Sequence, residues 1–127
     1  MGEPLQPLRV PAGWRVVWNT LFDLDPTEDN VRRGYFGGSS LFTAIHEGLR
    51  LNLDLEWRPE DDPAGEYRLT VEYAPWLRTV GGRRRKGVPL DFGESRVVHE
   101  FRTRARAELV RELEAALNTR REWVEQS

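Results

Sequence analysis

Cysteine is absent from this 127-residue chain. That excludes a disulfide framework, a thiolate zinc site and a cysteine nucleophile. Histidine is scarce: His46 and His99 are the only two, they lie far apart, and no His-Glu-x-x-His motif exists. No apolar run approaches the roughly 20 residues that a membrane-spanning helix needs, so no membrane partner is expected. Pro4, Pro7 and Pro11 punctuate residues 1–12, which contain no apolar stretch. The expectation there is an extended lead-in, neither a secretory leader nor an anchor, on a cytoplasmic protein.

What remains is a mixture suited to a single domain spanning 1–127. Hydrophobic residues make up 39% and charged residues 31%, and five Trp, five Phe and three Tyr provide bulk for a core. The net charge of −2 hides an asymmetry: residues 1–75 are acidic in balance and residues 76–127 basic. Two such halves complement each other within one fold, or present faces of opposite sign to partners.

The centre of the chain carries the clearest pattern. Leu49, Leu51, Leu53, Leu55 and Trp57 alternate with Arg50, Asn52, Asp54, Glu56 and Arg58; Tyr67, Leu69, Val71 and Tyr73 alternate with Glu66, Arg68, Thr70 and Glu72. Each run fits a strand with one face dry and one wet. The turn-forming stretch 59–65 joins them, and antiparallel pairing sets Trp57 opposite Tyr67, Arg58 opposite Glu66 and Glu56 opposite Arg68. Residues 41–45 form a further strand. A two-residue turn after it would bury Phe42 and Ala44, a three-residue turn Leu41 and Ile45, and both remain open.

Upstream, the alternation over 14–22 predicts a strand with Trp14, Val16, Trp18, Thr20 and Phe22 on one side. Asp25-Pro26-Thr27-Glu28 then reads as a capping box opening a short helix, 26–33, closed by Gly34. Downstream, 96–101 is a last strand. Thr103 is expected to cap a helix from about Arg104 to Asn118, with Arg104 paired to Glu108. Its apolar stripe comprises Ala105, Leu109, Val110, Leu113, Ala116 and Leu117, and Trp123 and Val124 extend it. The fold class is therefore α+β: an antiparallel sheet of about four to five strands, a C-terminal helix packed on one face, and a short helix near 26–33.

Few residues point to chemistry. Ser39 and Ser40 lack the strand-turn-helix setting of a nucleophile elbow and read as loop residues. Asp23 to Asp29 resembles a calcium loop, but its sixth position is Glu28 and its twelfth Gly34, so capping explains it better. Glu60, Asp61 and Asp62 read as solvated acids on a turn. No catalytic residues, metal or cofactor are expected. Residues 81–89 form a flexible basic loop in which Arg83, Arg84, Arg85 and Lys86 are candidates for binding phosphates or carboxylates, although a solvated hairpin tip explains them as well. Four of the tryptophans, Trp14, Trp18, Trp57 and Trp123, read as core or helix–sheet packing. Trp76, beside the basic loop, reads as the half-exposed one, and Trp and Arg are the usual anchors of protein interfaces.

Two stretches carry a resemblance. One runs from Pro11-Ala12-Gly13-Trp14 through Asn19 and Phe22 to Asp25-Pro26; the other is His99-Glu100-Phe101-Arg102-Thr103-Arg104 leading into the last helix. Together they resemble small bacterial proteins that include immunity proteins paired with secreted toxins. The resemblance implies a cytoplasmic α+β protein that acts by binding, and it transfers no site residue. The leading expectation is thus a non-catalytic protein-binding domain, with a toxin as partner. The alternatives are a nucleic-acid-binding module using the Arg83–Lys86 loop, and a small hydrolase with His46 or His99 as base.

Overall fold

The computed structural model describes residues 3–75, 81 and 95–124. Five strands form one antiparallel sheet in the order β1-β2-β3-β4-β5: Trp14–Asn19, Phe42–His46, Leu51–Arg58, Glu66–Tyr73 and Arg96–Thr103. Helix α1 spans Glu28–Arg32 and α2 spans Arg106–Leu117, followed by a 3₁₀ turn at Arg121–Trp123. This is the α+β arrangement expected from the sequence.

The β3–β4 ladder has the register read from the alternation: Trp57 opposes Tyr67, Arg58 opposes Glu66 and Glu56 opposes Arg68. Leu51, Leu53, Leu55, Trp57, Tyr67, Leu69, Val71 and Tyr73 are all buried. Trp57, Tyr67 and Phe36 form an aromatic cluster, with Trp57 and Tyr67 edge to face at 5.1 Å. Gly65 makes this possible: a Cβ there would lie 2.7 Å from Trp57 Nε1 and 2.8 Å from the Arg58 carbonyl, where the indole reaches the Asp62 carbonyl at 2.9 Å. Helix α2 buries Leu109, Leu113, Ala116 and Leu117 on this face, and α1 adds Val31 to the same core.

Between β2 and β3 the chain turns through four residues, 47–50. An even count keeps the parity of the two-residue alternative, so Phe42 and Ala44 point inward, opposite Leu55 and Leu53. Leu41, just ahead of the strand, is buried as well.

Several local expectations are corrected. β1 ends at Asn19, and its ladder slips between Val16 and Trp18, so Val17 bulges and the two-residue period is lost. Leu21, not Phe22, enters the core, and Val16 and Trp18 are exposed. Arg50 does not sit on the wet face. It is buried, with a left-handed φ of 62°, and its Nε donates to the Ala74 carbonyl at 3.0 Å. The cap of α1 is Thr27, whose hydroxyl accepts the Asn30 amide at 3.1 Å, so the helix begins two residues later than the Asp25 capping box implied. Helix α2 begins at Arg106, with Ala105 as its N-cap and no side-chain cap; Thr103 Oγ1 only accepts the Ala105 amide. Arg104 therefore lies before the helix and is not an i,i+4 partner of Glu108. Its guanidinium donates to the Gly65 and Pro63 carbonyls and covers the Trp57 ring. Asn118 ends α2, and Trp123 reaches the core from a separate turn instead of an extended helix.

The lead-in is extended and paired. Leu5 bridges Phe22, Gln6 N donates to the Leu21 carbonyl, and Asp23 N donates to the Pro4 carbonyl. Arg106 then joins this segment to α2 by bonding Asp23, Asp25 Oδ1 and Gln6 Oε1. Bonds to Asp25 and Asp23 raise the Arg106 pKa against the opposing effect of its partial burial. The acidic stretch 23–29 thus serves capping and this ion pair. No described helix is long and apolar enough to cross a membrane.

Candidate functional site

The bulge in β1 has a geometric consequence. Trp14 and Val16 oppose the inward-facing His46 and Ala44, while Trp18 opposes Thr43, on the polar face of the sheet. Inserting one residue has turned Trp18 outward, a common use of bulges beside functional sites. Trp18 is 53% exposed, and Val17 beside it is 49% exposed. The ring is nevertheless fixed, because its Nε1 donates to the Ser40 carbonyl at 3.0 Å and to Thr20 Oγ1 at 3.2 Å. The expectation that Trp18 packs in the core is corrected.

Beside this ring lies a cleft of about 450 Å³. One wall is Val17, Trp18, Thr20 and Phe22; the other is the loop carrying Tyr35, Gly37, Gly38, Ser39 and Ser40; Thr43 closes the base. Phe22 and Tyr35 meet edge to face at 5.7 Å. The loop has no bulky side chains over Gly37–Ser40. It stays in place because its backbone is held by side chains of β3 and the following turn: Arg58 donates to the Gly38 and Ser39 carbonyls, and Glu60 Oε1 accepts the Gly38 amide at 2.9 Å. At Gly37 the Asp61 carboxylate comes close, with Oδ1 2.7 Å from where a Cβ would stand, so a side chain there would have to displace it.

At the base, Ser40 Oγ donates to Asp54 Oδ1 at 2.7 Å and Thr43 Oγ1 donates to the same oxygen at 2.8 Å. Both hydroxyl protons are committed to that carboxylate, so each oxygen has only lone pairs left for anything else. On the same face, burial raises the Glu56 pKa above its ordinary value; Arg58 lowers it, and the neighbouring Asp54 carboxylate raises it.

The histidines stand elsewhere. His46 Nδ1 accepts the Leu49 amide at 3.1 Å and its ring meets Trp14 edge to face. His99 Nε2 lies 2.7 Å from Glu112 Oε1, and its ring is stacked on Trp123. Ser39 and Ser40 line the cleft, and neither histidine does. Among the described residues there is no group of three or more His, Asp or Glu placed to hold a metal ion.

No family model, curated protein or solved structure matches the chain.

Of the residues singled out in the sequence, Trp76 and Arg83, Arg84, Arg85 and Lys86 lie outside the described residues. No alternation pattern in the sequence marks the cleft. Its signal in the sequence was the Gly37-Gly38-Ser39-Ser40 loop, and the partner of that loop, Trp18, reads as one more inward position of a regular strand unless the bulge is known.

Proposed function

We propose that the chain is a non-catalytic protein-binding domain that docks through the cleft beside Trp18, as an immunity protein holds a toxin. One observation carries the reading: a tryptophan that is half exposed yet fixed at its indole nitrogen, with Val17 exposed beside it on the cleft wall. A fixed aromatic anchor gives up little conformational freedom on binding, and tryptophan is enriched among residues that dominate interface energy. The surrounding apolar strip is the kind of surface a partner covers. The hydroxyls and carbonyls at the base of the cleft supply the polar contacts that fix orientation.

The test is calorimetric titration of the chain with the purified product of the neighbouring gene in the source genome. Stoichiometric binding that Trp18→Ala weakens by about a hundredfold, a typical hot-spot loss, supports the reading. The variant should unfold at the same denaturant concentration as the parent. Absence of binding, or binding indifferent to Trp18, overturns it.

A further inference from the structure

We infer that the Trp18 cleft takes a cationic side chain, an arginine above all, presented by the protein partner. This deepens the reading above and rests on it. Hydrogen bonding comes first. Ser40 Oγ and Thr43 Oγ1 give their protons to Asp54, so only their lone pairs remain. A group that enters here to bond with them has to bring hydrogens of its own.

Charge points the same way. Among the described residues, four carboxylates adjoin the groups that line the cleft. Asp54 holds Ser40 and Thr43, Glu60 holds the Gly38 amide, Asp61 lies against Gly37, and Glu3 Oε1 faces the Tyr35 hydroxyl at 3.5 Å. One guanidinium, Arg58, adjoins the same loop; it is turned to the Gly38 and Ser39 carbonyls and lies 3.3 Å from Glu56. The balance at the cleft is negative. The walls add aromatic faces, Trp18 foremost, and a tryptophan face attracts a cation through its quadrupole. An arginine satisfies all three demands, with a flat apolar body for the ring, donors for the hydroxyl oxygens and a positive charge.

The experiment is an NMR titration of the full isotope-labelled chain with Nα-acetyl-arginine N-methylamide. It is repeated with the citrulline analogue, which keeps the shape and loses the charge, and with Nα-acetyl-phenylalanine N-methylamide. The readout is the indole N–H of Trp18, assigned by its disappearance in Trp18→Phe. The arginine probe should shift that signal saturably and bind at least about fivefold more tightly than citrulline. Its advantage should shrink in Asp54→Asn and in Thr43→Val, the second variant guarding against a folding defect in the first. Equal binding of arginine and citrulline, preference for phenylalanine, or no shift with any probe overturns the inference. If the partner titration still depends on Trp18 in that case, the protein-binding reading survives and only the cationic occupant is lost. If that dependence is also missing, both fall.

Discussion

His99 Nε2 stands 2.7 Å from Glu112 Oε1, and this bond ties β5 to α2. Trp123 stacks on the same imidazole with ring centroids 5.2 Å apart, and Arg120 covers the other partner of that stack. The 3₁₀ turn is therefore docked through a histidine that is itself fixed by the helix. Glu112→Ala leaves the imidazole without its partner in a largely buried setting and should cost about 1–3 kcal/mol. Glu112→Gln, which keeps an accepting oxygen, should recover part of that loss. Urea denaturation followed by tryptophan fluorescence measures both.

Leu113 is fully buried in the middle of α2, against the apolar face of the sheet. Leu113→Ala should destabilise the chain by about 2–5 kcal/mol through lost burial and the cavity left behind. A change below about half a kcal/mol would place the helix at the periphery of the core.

Tyr67 is fully buried, and its hydroxyl has no hydrogen-bond partner among the described residues. Burial pushes its pKa well above the ordinary phenol value; Arg106 lowers it and Asp25 raises it. Because the folded state holds this proton more tightly than the unfolded state does, the associated stability is fully present below about pH 10 and is lost as pH rises beyond that. Tyr67→Phe should be neutral or slightly stabilising at neutral pH, since no bond is broken. It should also flatten the alkaline limb of the stability curve. Thermal melts between neutral pH and pH 11 compare the two.

Thr27 caps α1 through its bond to the Asn30 amide, whereas Thr103 bonds only the Ala105 amide ahead of α2. Thr27→Ala should cost about 0.5–2 kcal/mol, with Thr27→Ser close to the parent. Thr103→Ala should cost less, because it frees no amide of the helix itself. Guanidinium midpoints of the three variants decide this.

The β3–β4 ladder was readable from the sequence because eight residues on each strand obey one period, and a slip by one position would expose every leucine. The stripe of α2 was readable for the same reason at helical spacing. What escaped was local and conformational. A bulge is a single extra residue, and nothing in Val16-Val17-Trp18 marks which residue is extra. Arg50 continues the alternation of β3 in type but takes a left-handed turn, so its side chain leaves the wet face and is buried against the Ala74 and Pro75 carbonyls. Thr27 and Asp25 are both good caps, and Arg106 decides between them by engaging Asp25. The cleft draws on β1, β2 and the loop between them, and it exists only once the bulge has turned Trp18 toward that loop.

The same bulge bears on how the molecule behaves in a crowded solution. β1 lies at one edge of the sheet, where an unbroken row of amides and carbonyls invites another chain to extend the ladder. A slip after two or three residues leaves no regular stretch long enough to copy, even though Val16, Val17 and Trp18 are exposed there. Strand exchange between copies is discouraged while the side chains stay available for recognition. Deleting Val17 would restore the regular edge, and with it the tendency to assemble into longer sheets.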